Sequence, residues 1–150
     1  MHIFRQAATI AARIIVVAFA FFAATSLAWA QSTTPDPAAF ERIITSQITA
    51  FRADEGTKAF AHASPSIRRQ FGTADNFMAM VKQGYPQVYR PRSFKFGKIT
   101  TEMSGRPTQR VHVIDAGGQS WTALYAFEQQ PDATWRIAGV VIVRAADLSA

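Results

Sequence analysis

The sequence predicts an α+β domain with N-terminal helices packed on a four-stranded antiparallel sheet. Three observations predict it. Apolar residues recur at helical spacing from Phe40 to Val81 and alternate at strand spacing from Phe94 to Val143. The turns between the strand segments are too short for parallel crossovers, which need a dozen residues or more. Helices followed by a run of strands is the α+β order.

The first thirty residues read as an export signal. Arg5 and Arg13 stand without an acid before the apolar run "IIVVAFAFFAA" (14–24). Ala28 and Ala30 form the small-x-small pattern cut by signal peptidase, here before Gln31. Ile14 to Ala30 would just suffice as an uncleaved anchor, since a span needs about 17–25 apolar residues. The positive flank, short core and Ala-x-Ala favour cleavage. The expected location is periplasmic or secreted, with no stable membrane span after cleavage. Residues 31–37, "QSTTPDP", form a polar leader, and residues 38–146 a single domain.

The first helix is expected to start at Asp36, a good N-cap, with Pro37 in its first turn. Phe40, Ile43, Ile44, Ile48 and Phe51 build one apolar stripe, while Glu41, Arg42, Gln47 and Arg52 face water. It should end near "ADEG", with Gly56 in the left-handed position. A short second helix follows in "TKAFAHA" (57–63). "SPSIRRQFG" (64–72) opens on Ser64 and Pro65 and closes on Gly72. "TADNFMAMVKQG" (73–84) opens on Thr73 and aligns Phe77, Met80 and Val81.

After Tyr89 the period changes to two. The expected strands are "SFKFGKITTE" (93–102), "TQRVHVID" (108–115), "SWTALYAFE" (120–128) and "TWRIAGVVIVR" (134–144). Turn signals at 104–107, 115–118 and 130–133 make them hairpins. Trp121, Ala123, Tyr125 and Phe127 share one face, which should cover the stripe of the first helix. The fourth strand is apolar on both faces through Val140 to Val143. It must therefore lie centrally in the sheet or be covered by a second subunit, a homodimer through the sheet.

Composition removes several kinds of chemistry. The chain has no cysteine, which excludes disulfides, zinc–thiolate sites and thiol nucleophiles. Two of sixteen basic residues leave with the signal, so fourteen face ten acids, a net charge of +4. The sequence pI of about 10.3 would suit nucleic acid, but export argues against that partner. His62 and His112, the two histidines after the signal, lie in no metal-ligand spacing, so neither a metal nor another cofactor is expected. There is no G-x-S-x-G elbow, and "SPS" at 64–66 is a helix cap. "DAGG" at 115–118 is too short to cradle phosphate.

One stretch carries the candidate binding residues. "GYPQVYRPR" (84–92) gathers two tyrosines, two prolines and two arginines where helices give way to strands. If residues 90–96 run as a regular strand, Arg90 and Arg92 share a face with Phe94 and Phe96. They would then stand at the rim of the core with Tyr85 and Tyr89 beside them. Guanidinium forks and phenols beside an apolar cavity suit an amphipathic ligand with an acidic head. The other reading is a stiff connector whose rings pack and whose arginines face water. The candidate site is Tyr85, Tyr89, Arg90 and Arg92, with Tyr125 on the facing strand; no catalytic residue is assigned.

The segments "FAHASPSIRRQFG", "FMAMVKQGYPQVYRPRS" and the closing "WRIAG" resemble a family of small exported bacterial proteins grouped as a domain of unknown function, DUF4864. The resemblance spans residues 38–144. The order of elements is also similar to the NTF2-like (cystatin-like) superfamily, which implies a cone in which helices fill the concave side of a curved sheet and often enclose a pocket. It further implies an isomerase- or dehydratase-type enzyme as one alternative, needing a carboxylate base in that pocket. Residues and resemblance together favour non-catalytic binding of a small anionic or amphipathic ligand, or of an envelope partner protein. A dimeric interaction module working through its sheet face is the other alternative.

Overall fold

Residues 34–148 are described by the computed structural model; the expected signal peptide and the first residues of the leader lie outside them. Helix α1 (Pro37–Arg52) starts as its sequence dictates: Asp36 accepts a hydrogen bond from the Ala38 amide at 3.0 Å, and Pro37 occupies the first turn. Phe40, Ile44, Ile48 and Phe51 point into the core. Gln47, expected to face water, is buried instead, because α2 (Gly56–Ala61) folds back across that side of α1 and its Ala59 carbonyl accepts from Gln47 Nε2 at 3.2 Å.

The turn between the two helices also departs from expectation. Asp54, not Gly56, takes the left-handed conformation, with φ of 55°. Aspartate tolerates this region better than most residues because its short polar side chain bonds locally. Gly56 opens α2 and serves a different purpose. A β-carbon there would sit 2.8 Å from Met78 Cγ, so the glycine lets α2 approach α4 (Ala74–Gly84). Between them α3 (Pro65–Phe71) is capped by Ser64, which accepts from the Ile67 amide, and stopped by Gly72. Thr73 caps α4 through the Asn76 amide at 3.2 Å. Pro86 then starts a single helical turn, α5 (Pro86–Tyr89).

Strands β1 (Ser93–Met103), β2 (Arg106–Ile114), β3 (Ser120–Gln129) and β4 (Trp135–Arg144) form an open antiparallel sheet in the order β1-β2-β3-β4. The β1–β2 hairpin turns on Ser104 and Gly105, both with positive φ, the geometry that matches strand twist in two-residue loops. The register places Gln109 and Val140 beside Tyr125, and Val111 and Ile142 beside Ala123, on the face that meets the helices. There Phe40 of α1 stacks on Phe127 with ring centroids 4.0 Å apart, and Trp135 meets Phe40 edge-on at 5.1 Å. The expected cover of the α1 stripe by the aromatic face of β3 is thus observed.

Strand β4 is not central: the strand order makes it an edge. Successive hairpins can only add each strand beside the last, so the final strand of a meander ends the sheet. Its first part is paired all the same. Ile137 donates its amide to the His62 carbonyl and accepts from the Ser64 amide, each at 2.9 Å, a parallel bridge centred on Ala63. Further along, Val141 is 43% exposed.

Candidate functional site

The bridge between Ala63 and β4 pulls α3 over the end of the sheet, and a cavity of about 530 Å³ remains where α3, α4 and β4 converge over α1. Phe51 and Gln47 of α1, Phe77 and Val81 of α4, and Tyr125 of β3 form its buried wall. Half-buried Ile67 and Phe71 of α3 and Met80 of α4 stand toward the surface, opposite Ala138, Gly139 and Val140 of β4. Ala138 and Gly139 are the smallest residues that β4 contributes to the lining; a β-carbon at Gly139 would meet Met103 Cε of β1 at 3.7 Å, so Gly139 contributes backbone.

Polar groups on the lining are few: the amides of Gln47 and Gln70 and the phenols of Tyr85 and Tyr125. Among the described residues no charged side chain lines the cavity. Tyr125 is wholly buried, and among the described residues its hydroxyl has no hydrogen-bond partner. Burial pushes the phenol well above its ordinary pKa, so it stays protonated and remains a donor at any physiological pH.

Of the five candidate residues, Tyr85 and Tyr125 come together on this cavity. Tyr89, Arg90 and Arg92 are placed elsewhere. The strand begins only at Ser93, and Arg90 closes α5 with φ of −142° and ψ of 67°, so Arg90 and Arg92 do not continue the face of Phe94 and Phe96. Instead the segment is fastened to the end of α1. The Tyr89 hydroxyl donates to Asp54 Oδ1, Arg90 Nη2 donates to Asp54 Oδ2 at 2.8 Å, and Lys82 Nζ lies 3.6 Å from the same carboxylate. The Tyr89 hydroxyl, and after it the two cations, hold the Asp54 carboxyl below its ordinary range. Arg52 Nη2 reaches the Pro91 carbonyl at 2.8 Å, and Arg92 Nη2 the Ala116 carbonyl at 3.0 Å in the β2–β3 turn. These groups join helix, connector and hairpin.

Sequence reasoning missed the α3 and β4 parts of the lining. Their signal was present but ambiguous: a strand apolar on both faces, containing adjacent Ala138 and Gly139, reads equally as a packed core strand.

His62, next to the bridge, is half-buried with Nε2 2.9 Å from Ser46 Oγ. Burial first, and the charge of Arg136 second, hold its pKa below the ordinary histidine value. The fold therefore disfavours the protonated ring. The stability this contributes is present above the pH where free histidine titrates and is lost as pH falls through the lower folded value. Urea midpoints should drop as pH is lowered from about 6.5 toward 5, ahead of any carboxylate loss below about 4. His62→Gln should flatten that first portion only; an unchanged profile would place its origin elsewhere.

Among the described residues no three histidines, cysteines or acids stand close enough to hold a metal ion. Nor is any described helix long and apolar enough to cross a membrane. No curated protein and no solved structure matches the chain. A family model does match, over residues 33–150, covering all of the helices and the sheet described above, and on that match the chain belongs to the family described as domain of unknown function DUF4864.

Proposed function

We propose that this is an exported, non-catalytic binding protein that holds a small amphipathic molecule in the cavity between α3, α4 and β4. The observation that carries this reading is the cavity itself. Its volume of about 530 Å³ falls in the range of small-molecule sites, and its lining is mainly apolar with a few polar groups. The export signal read in residues 1–30 and the pocket-forming tendency of the NTF2-like element order support it further. An anionic head has less support than an apolar body, because Arg90 and Arg92 already bond to Asp54 and Ala116. The isomerase-type reading lacks its central requirement at this place, since among the described residues no carboxylate lines the cavity.

The test is native mass spectrometry of the protein isolated gently from its own host. The expected result is a reproducible extra mass that disappears in Ala138→Trp, a substitution that fills the cavity from β4, while circular dichroism stays unchanged. Bare protein in every preparation, together with no binding of apolar probes, would sink the reading.

A second reading has its own observation. Val141 is exposed on the edge strand, which suits dimerisation through the sheet. Sedimentation showing only monomer at high concentration would remove it.

A further inference from the structure

The chemistry of the cavity wall narrows the class of ligand, and this step rests on the binding reading above. Tyr125 is the point of departure. It sits in the middle of β3, between Gln109 of β2 and Val140 of β4, on the face that the helices cover. Among the described residues nothing bonds its hydroxyl, and the two buried amides, Gln109 beside it and Gln47 on the cavity wall, have their N–H donors engaged elsewhere. Gln109 Nε2 donates to the Gly97 carbonyl at 2.6 Å and the Arg110 carbonyl at 2.9 Å. Gln47 Nε2 donates to Ala59. The rest of the buried wall is phenylalanine, valine, isoleucine and alanine.

A buried hydroxyl without a partner is destabilising, and phenylalanine would fill the same space without that cost. A polar group buried at such a cost to stability calls for a partner that the described residues do not supply. A phenol that stays protonated is a donor first, and its natural partner is an oxygen with lone pairs. The wall also says what that oxygen cannot carry. Among the described residues no guanidinium, ammonium or histidine lines the cavity, so a carboxylate or phosphate would be desolvated there without a counter-charge from them.

We propose that the ligand is an uncharged molecule whose carbonyl or ether oxygen accepts a hydrogen bond from the Tyr125 hydroxyl, with its apolar body lying among Phe51, Phe71 and Phe77. Met80 stands half-buried on the surface side, and its unbranched, polarizable side chain can adjust around such a body as it enters.

Three probes of matched shape test this by isothermal titration calorimetry at neutral pH: 2-acetylnaphthalene (a neutral acceptor), 2-ethylnaphthalene (the same body without one) and 2-naphthoate (an anion). In the wild-type protein 2-acetylnaphthalene should bind about five- to tenfold more tightly than 2-ethylnaphthalene, with 2-naphthoate the weakest. In Tyr125→Phe the preference for the ketone should vanish while the affinity for 2-ethylnaphthalene stays the same, which also shows that the cavity has kept its shape. The ligand-free Tyr125→Phe protein should melt about 2–4 °C higher than wild type, because the unpaired hydroxyl is gone. Equal binding of ketone and hydrocarbon in both proteins would overturn the role of Tyr125 and leave the binding cavity standing. Tightest binding of 2-naphthoate would overturn the neutral class. Failure of all three to bind would overturn this inference together with the cavity reading. A Tm lowered in Tyr125→Phe would show that a trapped water satisfies the hydroxyl, and would overturn the assignment to a ligand.

Discussion

Phe40→Ala should destabilise the protein by about 3–5 kcal/mol, the range for removing a fully buried aromatic ring and leaving a cavity. Phe40 is 0% exposed and joins α1 to both strands of the last hairpin, stacked on Phe127 of β3 and edge-on to Trp135 of β4. Neither partner can follow the retreating side chain. Phe127 is held by the β3–β4 register and Trp135 by its pairing with Gln129. Urea denaturation followed by tryptophan fluorescence measures the loss directly, since Trp135 reports on the contact. A cost below about 1 kcal/mol would mean that the layer contact between α1 and the sheet is not where the core is anchored. Because the total stability of a domain is about 5–15 kcal/mol, this one ring accounts for a large share of it.

Gly56→Val should cost about 1–3 kcal/mol, by overpacking rather than by loss of contacts. Gly56 does not have a positive φ, so backbone freedom is not its reason for being glycine. Its β-carbon would meet Met78 Cγ at 2.8 Å, and Met78 is itself buried, wedged between α2 and the rest of α4. A branched side chain at Gly56 therefore pushes α4 outward. That same helix carries Phe77, Met80 and Val81 to the cavity, so probe affinity should weaken along with stability. The test is a double-mutant cycle with Met78→Ala. The pair should be less damaging than the sum of the singles by about 1 kcal/mol, because the shortened side chain makes room for the valine. Strict additivity would show that the two helices are not held at their distance by this contact.

Much of the fold was legible because its signals are local. Asp36, Ser64 and Thr73 cap the helices they were expected to cap, and the phenylalanines and isoleucines of α1 face inward at their helical spacing. The hairpins close on their turn residues, and Tyr125, Ala123 and Phe127 share the covered face. The misreadings fall where a distant element intervenes. Gln47 is polar and sits at a position that a lone helix would leave wet; only the return of α2 buries it. Gly56 has the sequence context of a helix stop, yet the chain turns on Asp54, whose carboxylate is then gripped by Tyr89 and Arg90 from the other end of the helical layer. Arg92 looks like a residue free to meet a ligand until the β2–β3 turn supplies the Ala116 carbonyl.

The candidate site divides in the same way. Tyr85 is legible as a phenol at the rim of the core in the "GYPQVYRPR" stretch, and Tyr125 as a member of the aromatic face of β3; both line the cavity, while the arginines expected beside Tyr85 do not. Ile67, Met80, Ala138 and Val140 are not legible as lining, because each is fully explained as ordinary core or strand.

By itself, the sequence determined the order of the main helices and strands, the N-caps of α1, α3 and α4, the hairpin turns, the apolar stripe of α1 and the absence of thiol chemistry. Those properties depend on neighbours one to four residues away, or on composition alone. Only the tertiary structure decided that β4 is an edge, that Asp54 gathers the arginine-tyrosine segment, and that α3 and α4 leave a cavity against β4. A cavity is a volume that no residue fills. It depends on how far apart helices and sheet are held by contacts such as Gly56 with Met78 and Phe40 with Phe127, and no single stretch of sequence encodes that distance.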